Sequence, residues 1–522
     1  MPYDTVSIVI TLTVLFVVSR VVKFYHGLKA VSFLPGFRVP FQPIGLPGAL
    51  LPTTWWNPGL LCTWKWRYWM YKKFENETVS IVPFITGAPA LYTSNLDIAR
   101  QVITGAHKCD FIKPESASKA LLTWGMNLSA ADGEVWRKHR RIMGPAFNNR
   151  LYHHVWNETL KIYREMMDCE GWSDNGWTHI PAIQKLTFKV ALLVLARCAF
   201  GFSFDWKDVP RVPDAAMTVQ EAIRNYSDTS SLLVLLPWLF ELPLKRFRET
   251  VTAKEVLTSF MKKTITERRE TVRGRTGELN QETSDMFTLL VEANEKEEGK
   301  FKLSDSELIG NVFLILFAGH GLLAYHQDIQ QEIVDQIITE IGYDRDPTFE
   351  DYDKLYKVLA CFYEAVRLFP SGYLMIREAT EDTSLTIPNP PGQEGSTIMP
   401  ISKGLQVVVD VIGTRTSLIV ISEYNPRYFD EPHKFKPSRW YGVSNESEAF
   451  SGFSIGPRAC IGRKFSLTES VCFIAMLLRD WRIEPLLKPN ETKDAWAARV
   501  LDARMFLTMG VASVPVKFSK RK

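Results

Sequence analysis

Phe453-Ser-Ile-Gly-Pro-Arg-Ala-Cys460-Ile-Gly-Arg-Lys-Phe465 holds one cysteine between two glycines at the mouth of a long apolar run. Gly456 and Gly462 permit backbone conformations and close approaches that a Cβ would block, so Cys460 can be pressed against something flat. Arg458, Arg463 and the N-terminus of a helix beginning near Ile461 supply positive potential, which predicts that the thiol ionises readily. No second cysteine or histidine lies nearby at zinc spacing, which argues against a structural metal knot. The bland alternative is an ordinary buried cysteine beside a turn.

The surrounding chain of 522 residues has no internal repeat and no long Gly/Ser linker, so one large domain is expected. Hydrophobic residues make up 46%, charged residues 23%, and the net charge is +4, a globular composition too balanced to imply nucleic-acid binding. Seven cysteines lie scattered without paired spacing, which predicts a reducing compartment rather than a disulfide framework.

Val6-Ser-Ile-Val-Ile-Thr-Leu-Thr-Val-Leu-Phe-Val-Val18 continues past Arg20 to Val22 and is close to the ~17–25 residues that cross a bilayer. No small-residue cleavage site follows. Lys23, Lys29 and Arg38 do, so the segment reads as an anchor over residues 1–24 with the rest of the chain in the cytosol. Repeated prolines from Leu34 to Pro47 exclude helix and predict a stiff extended spacer, within a linker taken as residues 25–54. Trp55-Trp56 and Trp64-Lys-Trp-Arg-Tyr-Trp69 read either as a membrane interface or as aromatics packed inward.

Val79-Ser-Ile-Val-Pro-Phe84 and Ala90-Leu-Tyr-Thr-Ser94 predict a hairpin around Gly87-Ala-Pro89, and residues 95–104 a helix. Trp136 and Arg140 stand four apart, on one helical face. Residues 183–225 are mainly helical in pattern. Ser230-Ser-Leu-Leu-Val-Leu-Leu-Pro-Trp-Leu-Phe-Glu-Leu-Pro243 is apolar and proline-broken, either a channel wall or a loop dipping into lipid. Ser304-Asp-Ser-Glu307 is a capping box opening an apolar helix that runs to Gly319. Residues 355–369 and 466–481 are helical in pattern, the first carrying Glu364 and Arg367 as an i,i+3 pair and the second apolar enough to be buried.

A lone thiolate with no second protein ligand suits haem iron, where it pushes electron density toward bound oxygen. The positions Phe453, Gly456, Arg458, Cys460 and Gly462 resemble the haem-binding signature of the cytochrome P450 family, and the order Trp136/Arg140, Glu364/Arg367, Arg439, Cys460 resembles the family's other landmarks. The resemblance covers nearly the whole chain and looks eukaryotic and fungal-like. It implies a mainly α fold with a small β region, a single large domain over residues 55–520 after the N-terminal anchor and spacer. It implies haem b with Cys460 as axial ligand to the iron, and Trp136, Arg140, Arg377 and Arg458 on the haem propionates, beside Phe453. The activity implied is monooxygenation, with one atom of O2 entering an apolar small molecule and electrons coming from NADPH through a flavoprotein reductase. The implied location is the endoplasmic reticulum membrane, single-pass, with the catalytic body facing the cytosol. Arg137, Lys138, Arg141, Lys434, Arg463 and Lys464 read either as a basic platform for an acidic electron donor or as ordinary surface charge.

Two stretches depart from that family. After Ala318-Gly-His320 the acid and threonine that relay protons in the family are absent, and roughly eleven residues, about 16 Å of helix, are missing. His320 is either a substitute proton donor or an incidental neighbour of the gap. Thr416-Ser-Leu-Ile-Val-Ile-Ser422 is inserted ahead of Asn425-Pro-Arg-Tyr-Phe429. One block lost and one gained look like misread exon boundaries. Two other readings stay open: a haem-thiolate enzyme that rearranges an already oxidised substrate, and a non-catalytic membrane haem-binding protein.

Overall fold

The computed structural model describes residues 5–104, 110–119, 122, 125–172, 176–202, 204–207, 216–219, 221–223, 225–226, 229, 236–274, 286–296, 303–304, 324–389, 393–416, 429, 431–443, 451–505, 509–511 and 513–521. The apolar patch at 230–235, most of the helix expected after Ser304, His320 and the inserted block from 417 onward with Asn425 lie outside these residues. The chain divides into two compact units: Met1–Ala117 with Gly372–Lys434 and Ser454–Arg458, and Ser118–Ser371 with Phe435–Phe453 and Ala459–Lys522.

The first unit is built on a sheet whose described strands run in the order Gly36–Phe41, Thr78–Thr86, Ala90–Thr93, Gln406–Asp410, Leu374–Ala379, Phe111–Ile112. The expected hairpin is present, with Thr78 opposite Thr93 and Ile81 opposite Ala90. Ala90–Thr93 then pairs in parallel with Gln406–Asp410, more than three hundred residues later in the chain. One face of the sheet buries Val82, Leu91, Val407 and Val409 against Ile98, Val102 and Ile103 of the helix Leu96–Thr104. That helix starts where expected, because the Asn95 side-chain oxygen accepts the backbone N–H groups of Asp97 and Ile98.

Of the expected spacer, residues 25–30 continue the first helix and residues 43–51 are bends and turns, while the extended part, residues 36–41, is paired. Residues 36–41 form an edge strand in parallel register with residues 80–86. Pro40, which has no N–H to donate, falls where the register slips between Val39 and Phe41. At Gly36 the two strands approach so closely that a Cβ would lie 2.0 Å from the Ser80 carbonyl oxygen. The tryptophans divide: Trp64 and Trp66 are buried, Trp66 packing on Phe37 at 4.9 Å, whereas Trp55 is 87% exposed.

The second unit is mainly helical. Its centre is the helix Arg463–Asp480, buried along nearly its whole length from Phe465 to Arg479 and packed against the helices Asn149–Glu170, Gln327–Glu340 and Tyr356–Leu368. Burial on most sides explains why its sequence is apolar through most positions rather than striped. Asn148 caps the long helix Asn149–Glu170, and Gly171 ends it in the left-handed conformation. The sequence expectations for residues 95–104, 355–369 and 466–481 hold to within a few residues, and residues 183–200 are helical as expected. A second sheet joins Trp481–Pro485, Val516–Lys520 and Trp177–Ile180.

Candidate functional site

Cys460 follows a loop turned by two residues with positive φ, Ser454 at 66° and Gly456 at 62°, the second expected from its lack of a Cβ. The Cys460 N–H donates to the Phe453 carbonyl oxygen at 2.7 Å, closing the loop. The following helix begins at Arg463 rather than near Ile461, with Gly462 at its N-cap. A Cβ on Gly462 would stand 3.9 Å from the Cys460 sulfur and 3.9 Å from the Phe147 ring, ordinary van der Waals distances, so the close approach expected to require glycine at this position is not found.

Cys460 is exposed, whereas Cys62, Cys198, Cys361 and Cys472 are buried. Its thiol is nevertheless held above the ordinary value, first by desolvation, against the Gly462 backbone N–H and then Arg140 and Arg463, which favour the thiolate. The residue touches solvent at its surface, yet protein lies densely around it a little farther out, and it is that mass which disfavours the charge. Ready ionisation of the bare thiol, expected from the cations alone, is therefore corrected. The surrounding protein outweighs them.

Trp136 and Arg140 lie on the helix Gly133–Met143, both half-buried, and Arg140 is close enough to act on the Cys460 sulfur. Phe453 belongs to the same unit, its ring centroid 6.0 Å from the Arg463 guanidinium. Arg377 and Arg458 belong to the first unit: Arg377 is buried in the strand Leu374–Ala379 and donates to the Ile376 carbonyl oxygen, and Arg458 ends the short turn Gly456–Arg458. Of the six site residues read from the sequence, four thus lie in the second unit and two in the first.

The helix Tyr356–Leu368 supplies a buried ionic clasp. Arg367 makes a two-pronged contact with Glu364, both bonds at 2.8 Å, and Arg439 reaches the same carboxylate at 3.1 Å. Sequence reasoning missed two further donors, the Trp440 indole N–H at 2.8 Å and the Lys436 backbone N–H at 2.9 Å. Burial alone would raise the Glu364 pKa, but the bonds and charge from Arg367, with Lys436 and Arg439, hold it below the usual carboxylate value. All four donors are therefore engaged with an anion, and the stretch Lys436–Trp440 is pinned to the helix that carries Glu364.

The surface cations are partly committed already. Arg137 pairs with Glu134 and Lys434 with Glu431, while the Lys464 ammonium sits 3.5 Å from the centre of the Tyr352 ring.

Among the described residues no group of three His, Cys, Asp or Glu could hold a metal ion. A single exposed cysteine with two guanidinium groups near its thiol fits a metal that brings its other ligands with it, as a metal bound in an anionic macrocycle does.

A family model for cytochrome P450 matches residues 55–504. Cytochrome P450 monooxygenase 124 of Postia placenta is 31% identical over 519 residues, covering 95% of this chain and 94% of its own. Cytochrome P450 monooxygenase prx9 of Penicillium rubens is 25% identical and covers 91% of each chain. Among solved structures, the cytochrome P450DA heme domain is similar with a TM-score of 0.66 at 17% identity, covering 94% of this chain and 99% of its own. A zebra fish cytochrome P450 solved with progesterone gives 0.62 at 18% identity, covering 85% and 96%.

Proposed function

The chain belongs to the cytochrome P450 family, and from that premise we propose a membrane-anchored haem-thiolate monooxygenase that inserts one atom of O2 into an apolar small molecule. Its electrons come from NADPH through a flavoprotein reductase, and its anchor lies in the endoplasmic reticulum with the body in the cytosol. The observation that carries the reading is Cys460: an exposed cysteine at the end of a closed loop, with Arg140 and Arg463 near enough to favour its anionic form.

Haem b, bound through its iron to that sulfur, would supply oxygen activation, the thiolate favouring O–O cleavage. The work of the chain is to hold and tune. Trp136 and Arg140, with Arg377 and Arg458, would bind the propionates, for which an arginine fork offers paired donors. Ligation to a cation would invert the balance at Cys460, since a coordinated thiol loses its proton outright. The Phe453 carbonyl holds the Cys460 N–H, which fixes the direction in which the side chain leaves the loop. Arg137, Lys138, Arg141, Arg463 and Lys464 of the second unit and Lys434 of the first offer cations for an acidic electron donor.

A second reading rests on one sequence feature. Ala318-Gly-His-Gly-Leu-Leu-Ala324 lacks an acid and a threonine for proton delivery, which favours a rearrangement of an already oxidised substrate. The carbon monoxide difference spectrum of the reduced protein tests the primary claim, with the thiolate-type Soret band expected in the native protein and lost in Cys460→Ser. An unchanged spectrum and pigment content in the variant would overturn it. Substrate-dependent NADPH consumption with reductase supports monooxygenation; turnover of a hydroperoxide without NADPH supports the second reading.

A further inference from the structure

We propose that Tyr71 and Asp410 form a redox trap, in which the phenol yields an electron to a peroxyl radical by way of Trp66 and Trp69 while its proton crosses to Asp410. Its chemistry is independent of haem. Tyr71 is buried, and its hydroxyl donates to Asp410 Oδ2 at 3.0 Å, within the ~2.6–3.2 Å over which a positioned group exchanges a proton. The phenol is pushed well up, first by burial and then by the Asp410 charge, so it keeps its proton until an electron leaves. Burial also holds the Asp410 carboxyl above the ordinary aspartate range, which makes it a strong proton acceptor for a carboxylate. Its Oδ1 stays on the Gly413 N–H at 2.9 Å, so the group need not move to take the proton.

Tyr163, Tyr441 and Tyr325 also donate to carboxylates, but to poorer bases or in the open. Asp480, which accepts from Tyr163, also accepts from Arg479 Nε at 2.8 Å. Glu332, which accepts from Tyr441, is held below its ordinary value first by Lys357, and the Tyr325–Asp494 pair is exposed. Tyr373 donates to the Leu60 carbonyl at 3.4 Å, an oxygen that cannot keep a proton. The path from Tyr71 to the surface is aromatic. Tyr71 and Trp66 share one buried cluster with Phe37, and the Trp66 ring lies 5.0 Å from Trp69, which is 37% exposed. Lys73 Nζ stands 5.8 Å from the centre of the Trp69 ring, and the Arg67 guanidinium 3.9 Å from that of Trp64. A cation over the ring face raises the cost of a radical cation there, whereas Tyr71 becomes a neutral radical beside its own base. An oxidising equivalent caught at Trp69 therefore settles on Tyr71. In the trapping step the peroxyl radical gains one electron and a solvent proton and leaves as a hydroperoxide, while the Tyr71 O–H bond breaks and an O–H bond forms on Asp410 Oδ2. Ascorbate, a one-electron reductant, resets the site as the proton returns from Asp410 to the phenol.

The full-length, haem-loaded protein in detergent, buffered a unit above the Asp410 carboxyl, which burial pushes up to about 7, is oxidised by flash illumination with ruthenium tris-bipyridine and a cobalt(III) acceptor and frozen for electron paramagnetic resonance. A tyrosyl signal that outlasts those of exposed tyrosines is expected, and it should be lost in Tyr71→Phe, which keeps the ring in its cluster. Persistence of the signal in that variant, or its absence from the native protein, would overturn the proposal. In Asp410→Asn, whose side chain cannot take up the proton, the signal should form in lower yield; equal yield would refute Asp410 as the acceptor. The native protein in heavy water gives a readout that needs no variant to fold: the radical should carry a strongly coupled deuteron in electron–nuclear double resonance, and none would refute the transfer. Exposure to an azo initiator that releases peroxyl radicals then tests the route. Peptide mass spectrometry should find severalfold more hydroxytryptophan at Trp69 in Tyr71→Phe than in the native protein, with circular dichroism unchanged, and equal Trp69 oxidation would refute the trap.

Discussion

Replacing Asp410 by asparagine should flatten the dependence of stability on pH. Asp410 ends the strand Gln406–Asp410, fully buried; its Oδ2 accepts the Tyr71 hydroxyl at 3.0 Å and its Oδ1 the Gly413 N–H at 2.9 Å. Cys62, Tyr71, Tyr92 and Tyr373 around it are all pushed up by burial and stay neutral. Burial outweighs the bonds from Gly413, Tyr71 and Ile412 and raises the carboxyl from 3.8 to about 7. A carboxyl whose folded pKa lies above its unfolded one contributes stability that is fully present below pH 3.8 and is lost as pH rises through 7. At ~1.36 kcal/mol per unit the whole loss is about 4 kcal/mol, of which about 2.5 kcal/mol falls between roughly pH 5 and pH 8. Asparagine has no such titration and can still accept the Gly413 N–H. Urea unfolding of both proteins in the same detergent, followed by tryptophan fluorescence at several pH values, isolates this group as a difference. The variant should gain on the native protein by about 2.5 kcal/mol across that interval. Parallel stability curves would refute the assigned burial and titration.

Three further substitutions probe other parts of the architecture. Glu364→Ala strands two buried guanidinium groups and the Trp440 indole, so a loss of about 3–5 kcal/mol is expected in thermal or urea unfolding. Trp440→Phe removes one bond to a charged acceptor and should cost about 1.5–3 kcal/mol by the same measurement. Gly36→Ala forces a methyl group into the Ser80 backbone, so the edge strand should separate, with faster proteolysis in residues 31–41 while secondary structure elsewhere is kept.

The sequence carried much of this molecule. The cysteine loop was legible because its glycines and arginines stand at fixed spacing around one sulfur, and the Glu364 clasp because its members stand in order along the chain. The remaining clasp donors were harder to read. Trp440 follows Arg439 directly, and a buried indole needs an acceptor, so the signal was present; the Lys436 N–H leaves no trace in a side-chain pattern. The proline-rich segment misled because prolines exclude helix without excluding an edge strand whose register slips at one of them. The Cys460 acidity was read from charges alone, and burial, which depends on the whole fold, is the larger influence. Asp410 is, in sequence, one polar residue after three valines, and nothing local shows that Tyr71 and Gly413 converge on it.

The pairing of Ala90–Thr93 with Gln406–Asp410 also sets a schedule for biosynthesis. At translation speeds of ~5–20 residues per second, the later strand leaves the ribosome roughly 15 to 60 seconds after the earlier one. Throughout that delay the strand Ala90–Thr93 has an open edge of valine-partnering backbone and no native neighbour to close it. An emerging chain with that exposure is a natural client for a holdase working at the ribosome exit, and its yield should depend on chaperone supply more than on the stability of the finished protein.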